Sequence, residues 1–165
     1  MVMSGDAEMS HQGSRKGLRV GLIVVVVAGL AIDAYVHLHL AAPYDGVKSS
    51  VLTQGDLFRA EAALAIIAAL ALIVRPRRWT ALIAFLVSAG GFALVLLYQY
   101  VNVGAIGVLP NMYDPVTSPE KTLSIVCEGV AALAALILIA VLQRRAPHEA
   151  TAAGTAAPAS TSRPW

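Results

Sequence analysis

Charge and cysteine are both scarce in this chain. Only 13% of its 165 residues are charged, and Cys127 is the one cysteine. A lone thiol closes no intramolecular disulfide, so cysteine usage says nothing about compartment; inside an apolar helix it reads as a small packing residue. The net charge of +2 is weak, and no basic patch is interleaved with aromatics, so nucleic acid has no electrostatic footprint here. Also missing are a phosphate-binding glycine loop, a nucleotide fingerprint, and any Ser-His-Asp or Cys-His arrangement, so no motif marks an enzyme. No internal repeat is evident.

What is abundant is apolar sequence: 58% hydrophobic residues and a mean hydropathy of +0.71. Such a chain is too apolar for a soluble domain and too short for a large transporter, so it reads as one small integral membrane domain in a lipid bilayer. Apolar segments cover about 20–40, 57–74, 79–102 and 121–143. At about 1.5 Å per residue, each suits a hydrocarbon core of about 30 Å. The expectation is an all-α bundle of four transmembrane helices, up-down-up-down, spanning residues 19–145. A polar tail (1–18) and a low-complexity tail (146–165) are expected to be disordered. The first apolar run outlasts a signal peptide and lacks a small-x-small cleavage pattern, so it reads as a membrane helix.

Lys and Arg near the segment ends set the expected orientation. Arg15, Lys16 and Arg19 precede the first segment, Arg75, Arg77 and Arg78 fill "RPRRW", and Arg144 and Arg145 follow the fourth. These clusters share one side only if both termini are cytoplasmic, in a multi-pass plasma-membrane protein. Trp79 then lies at the inner interface, and Tyr44, Tyr98, Tyr100 and Tyr113 lie near the outer one. Pro76 suits a tight turn, because it cannot continue the helix before it and biases Arg75 away from helical angles. In "TSPEK", Ser118 can cap the fourth helix, with Pro119 at its first position. The alanine and glycine of "AEAALAIIAALA", "SAGG" and "AALAA" let backbones approach closely, within one chain or across a homodimer.

The sharpest functional signal is "AIDAYVHLHL", where an apolar helix acquires Asp33, Tyr35, His37 and His39. Ionisable groups in a membrane helix are costly and have a partner or a task. Asp33 sits about seven residues, or roughly 10 Å, below the outer helix end. Glu128 reaches a similar depth on the fourth helix, Arg59 and Glu61 lie in the first turns of the second, and Gln99 lies at the end of the third. The cytoplasmic halves are almost purely apolar, so the polar groups form one layer in the outer half, with the loop 103–120 as its lid. Asp33 and His37, four apart, share a face, and Asp33 can accept a hydrogen bond that fixes the imidazole tautomer. His37 and His39 lie about 200° apart around the helix and cannot chelate one ion.

Several readings remain open for this layer. Asp56 and Arg59 fit a helix-start anion with a neighbouring cation, and Glu61 could pair with Arg59 or His37. Asp33, His37 and Glu128 could form a purely structural cluster, a proton relay or a ligand site. Asp33, His37, Glu61 and Glu128 together offer donor types that suit a metal, although no local spacing motif fixes them. Bis-histidine haem is not available within one chain, because the last three helices contain no histidine, which leaves only dimeric or mixed haem ligation. A conduction path lacks polar steps in the inner half.

"HLHL" followed by a tyrosine, "LPNMYDP" and "PEKTLSIVCEGVAALAAL", over roughly residues 20–143, resemble a group of uncharacterised small four-helix integral membrane proteins of high-GC actinobacteria. The resemblance implies that His37, His39, Tyr44, Asn111, Tyr113, Pro115 and Glu128 belong to the group's pattern, and it brings no activity. The layout also looks superficially like DoxX-type membrane proteins, whose motif residues have no match here. The leading functional expectation is a non-enzymatic binding or accessory subunit using Asp33, His37, His39, Arg59, Glu61, Gln99 and Glu128. The alternatives are a redox or metal-handling protein and a structural partner in a larger membrane complex.

Overall fold

The computed structural model describes residues 4–143, with side chains from residue 13 onward. It contains α1 (Ser4–Ala41), α2 (Gln54–Val74), α3 (Arg78–Tyr100) and α4 (Pro119–Gln143), with a 3-10 turn at Pro43–Gly46. The chain is an all-α four-helix bundle, and all four helices are long and apolar enough to cross a membrane. α1 packs on α2 and α4, and α3 packs on α4 and more lightly on α2.

The connections fix an up-down-up-down course. Arg19 of α1 donates to the Pro76 carbonyl in the α2–α3 turn (2.8 Å), so that turn and the start of the first span share a basic end. At the other end the two long loops meet: Ser49 Oγ donates to the Val108 carbonyl at 2.7 Å, and the Tyr44 hydroxyl to Asp114 at 3.3 Å.

Helix boundaries follow local chemistry. α2 starts at Gln54 rather than 57 because Thr53 and Asp56 form a capping box: Thr53 Oγ1 accepts from the Asp56 amide, and the Asp56 carboxylate accepts from the Thr53 amide. It stops where Arg75 leaves helical angles ahead of Pro76 (φ −137°, ψ 84°). Thr80 Oγ1 then closes the turn by donating to the Arg75 carbonyl (2.7 Å) and accepting from the Arg77 amide. Ser118 Oγ accepts from the Lys121 amide at 3.1 Å, which makes it the α4 cap, with Pro119 next.

One difference concerns the N-terminus, where helix runs back to Ser4 although the sequence predicts disorder to residue 18. Residues 4–18 contain no proline, and adding a turn to an existing helix costs far less than nucleating one. At 38 residues, α1 is about 57 Å long, so its first turns project beyond any bilayer core. The expected C-terminal tail, with Arg144 and Arg145, lies outside the described residues.

Toward the basic end, the core is a lattice of small and branched residues: Val26 and Leu30 of α1, Ala65, Ala68 and Leu72 of α2, Ala81 and Ala84 of α3, and Ala135 and Leu138 of α4. Lipid is as apolar as these side chains, so close backbone approach, not hydrophobic transfer, holds them together. Gly29 marks a close approach of α1 to α4: a Cβ there would sit 2.8 Å from Ala131 Cβ and 3.0 Å from the Cys127 carbonyl.

Candidate functional site

Two helical stripes carry the site. On α1 the buried positions are 26, 29, 30, 33, 34, 36, 37 and 41, and on α4 they are 124, 128, 131, 134, 135 and 138. Both follow the three- and four-residue steps of an inward helix face. Along each stripe the identity changes toward the loop end, from Val26 and Leu30 to Asp33 and His37 on α1, and from Leu138 and Ala131 to Glu128 and Ser124 on α4. Because α1 and α4 pack side by side, the polar ends of the stripes face each other.

Asp33 is 2% exposed and stands at the centre. Its Oδ1 accepts from Ser124 Oγ at 2.7 Å and lies 3.1 Å from His37 Nδ1. The same imidazole nitrogen is 3.1 Å from the Asp33 backbone carbonyl. Phe58 of α2 meets the His37 ring edge-on, with centroids 5.2 Å apart, and holds its plane. Glu128 completes the group: one ligand atom from each of Asp33, His37 and Glu128 falls within 4.8 Å of the others. Glu128 is 1% exposed, yet neither of its carboxylate oxygens has a hydrogen-bond partner. Gly91 of α3 makes the room for it, since a Cβ at this position would strike Glu128 Oε1 and lie 3.3 Å from Glu61 Oε1.

In front of this group is a cavity of about 320 Å³ bounded by all four helices and the second loop. His37, Glu61 and Ser124 supply its polar floor, and Leu57, Phe58, Leu94 and Val95 supply apolar wall. Leu109, Met112 and Asp114 line it from the loop, so part of the 103–120 connection does cover the site. Leu64 of α2 and Leu94 of α3 also line it while remaining 52% and 50% exposed. Its mouth therefore lies between α2 and α3, the neighbouring helices with the least contact.

The lid is held by charge. Asp114 Oδ2 is 2.9 Å from Lys121 Nζ, an amine that also donates to the Asp114 and Val116 carbonyls. Partial burial pushes the Asp114 carboxyl up, but Lys121, the Val116 amide and the Tyr44 hydroxyl together outweigh it and leave the group below the usual carboxylate range. Burial, with the neighbouring Asp114 charge, pushes the Tyr44 hydroxyl up.

Not every candidate residue joins the site. His39 points outward and stacks on Tyr35 with ring centroids 6.0 Å apart, as its 200° offset from His37 requires. Arg59 pairs with Asp45 through two 2.8 Å contacts and with Asp56 at 3.2 Å, not with Glu61. Its long side chain reaches exposed carboxylates, Asp45 of the 3-10 turn and Asp56 of the first turn of α2, where an ion pair costs little desolvation. The Arg59 hydrogen bond, followed by one from Thr53, holds the Asp45 carboxyl below its ordinary value. Gln99 lines the cavity and donates to Thr117 Oγ1 at 3.3 Å, away from the carboxylates. Glu61 stands on the cavity floor rather than inside the tight three-residue group. Sequence reasoning did not single out Ser124 or Gly91. Ser124 is one turn from Glu128 and so shares its face, a signal open to reading; the role of Gly91 depends on which helix lies opposite.

Compared with known protein families, curated proteins and solved structures, the chain matches none.

Proposed function

We propose that this multi-pass membrane protein is a plasma-membrane binding or accessory subunit, both termini cytoplasmic, that holds an amphiphilic ligand in the outer half of its bundle. The observation that carries this reading is the cavity itself: about 320 Å³, apolar along its walls, polar at its floor and open toward lipid between α2 and α3. Small-ligand sites combine these properties, with a few polar groups fixing orientation. The floor is rich in acceptors, so it favours a head group that donates hydrogen bonds or carries an ammonium, with the tail lying between α2 and α3. The basic end, where Arg19 meets the α2–α3 turn, faces the cytoplasm by the positive-inside rule. Kinship with the actinobacterial four-helix proteins belongs to the same reading and rests on the "HLHL", "LPNMYDP" and "PEKTLS" segments.

Native mass spectrometry of the protein released from micelles tests the ligand. One amphiphile adduct should accompany the wild type and be lost in Leu94→Trp, which fills the mouth. A bare wild-type mass, or equal adducts in both proteins, contradicts the reading. Cysteine labelling tests the orientation: Lys48→Cys should react with an impermeant reagent added outside intact cells, and Arg77→Cys should not. If the chain serves as an accessory subunit, a stoichiometric partner co-purifies under mild solubilisation.

A further inference from the structure

We propose that Asp33, His37 and Glu128 form a binding site for one divalent transition-metal ion of the zinc class, at the floor of the cavity, where His37 also lines the amphiphile pocket. Three observations converge on it. The three ligand atoms lie within 4.8 Å of one another on two packed helices. His37 Nδ1 and Asp33 Oδ1 are 3.1 Å apart, a hydrogen-bond distance in the ion-free chain that also fits two ligands on one ion at about 2.0–2.2 Å once the ring proton has moved to Nε2. Glu128, 1% exposed, has two carboxylate oxygens without a hydrogen-bond partner, held beside Asp33 and His37 in the room that Gly91 leaves.

Charge and donor type identify the ion. Two carboxylates and a neutral imidazole around a dication sum to zero, which suits a low-dielectric interior where unbalanced charge is costly. One imidazole nitrogen with two carboxylate oxygens suits zinc, iron or manganese; calcium and magnesium demand a larger all-oxygen shell. Ser124 supports the site from behind, because its 2.7 Å hydrogen bond fixes the orientation of Asp33. Three protein ligands leave a fourth position for water or another small donor.

The test is zinc uptake by the full chain in detergent, stripped with EDTA and dialysed against micromolar zinc, with bound metal measured by inductively coupled plasma mass spectrometry. One ion per chain is expected, reduced to background in Glu128→Gln and in His37→Ala and unchanged in His39→Ala. Ser124→Ala keeps all three ligands, so it should still bind one ion with affinity lowered about 10- to 100-fold. This variant decides the matter if the ligand substitutions do not fold. A folded wild type that takes up no zinc overturns the proposal, as does full uptake by folded Glu128→Gln, unchanged affinity in Ser124→Ala, or loss of the ion in His39→Ala. Uptake should persist in Leu94→Trp, so the metal site and the amphiphile pocket can fail independently.

Discussion

The two ends of the bundle are made by the same four helices and solve different problems. Toward the basic end, alanines, Leu72 and Leu138 are buried in the interior, and backbones approach as nearly as Gly29 and Ala131 allow. Toward the loop end the same inward stripes carry Asp33, His37, Ser124 and Glu128, and α2 and α3 part around a cavity. One half provides the stability in which the other can keep unpartnered polar groups and empty space. A uniformly packed bundle would have no reason to hold a buried glutamate with two free oxygens.

Substitutions at matched positions probe this division. The largest effect is expected from Gly29→Leu, because its clash involves the Cys127 backbone carbonyl, which cannot swing away; overpacking of this kind costs about 3 kcal/mol. Unfolding by SDS titration would measure it. Leu72→Ala, at a fully buried position, should cost about 2 kcal/mol, the low end for buried leucine because the transfer contribution is largely absent in lipid. The same truncation at Leu94, on the cavity wall, should stay within about 0.5 kcal/mol. Equal losses at 72 and 94 would erase the distinction between the halves. Ser124→Ala, in metal-free protein, removes a buried hydrogen bond to Asp33 and should cost about 1–2 kcal/mol, more than serine truncation at an exposed position.

A smaller effect concerns pH and the lid. The folded Asp114 carboxyl lies below its ordinary value of 3.8, so its contribution is fully present above that pH and is lost as the pH falls through the lower folded value. Amide exchange in residues 103–118 should therefore accelerate on acidification relative to the α4 core, after correction for intrinsic rates. Asp114→Asn should abolish the dependence. Smallest of all, Arg59→Ala should leave the melting temperature unchanged within error, because its partners remain in solvent.

Much of this fold is legible in the sequence for physical reasons. Apolar length reports the spans, Pro76 and the Ser118–Pro119 pair report their ends, and the four-residue spacing of Asp33 and His37 reports a shared face. Partners across helices are not local in this way. Glu128 shares a depth with Asp33 in the sequence, but the Ser124 bond to Asp33 appears only once α4 lies beside α1. Arg59 finds Asp45 because the first loop folds back through its 3-10 turn, and no helical periodicity encodes that return. The continuation of α1 to Ser4 escapes notice because polar composition resembles a tail even where helix propagation is inexpensive.

Determination of the structure in lipid nanodiscs by electron cryomicroscopy, with a rigid binder to add mass, bears most directly on the contrast between a closed half and a hollow one. The expected result is non-protein density extending from Glu61 and His37 outward between α2 and α3, above a fully packed basic end. Collapse of α2 onto α3, with side chains filling the cavity and no density beside Glu61, would contradict it.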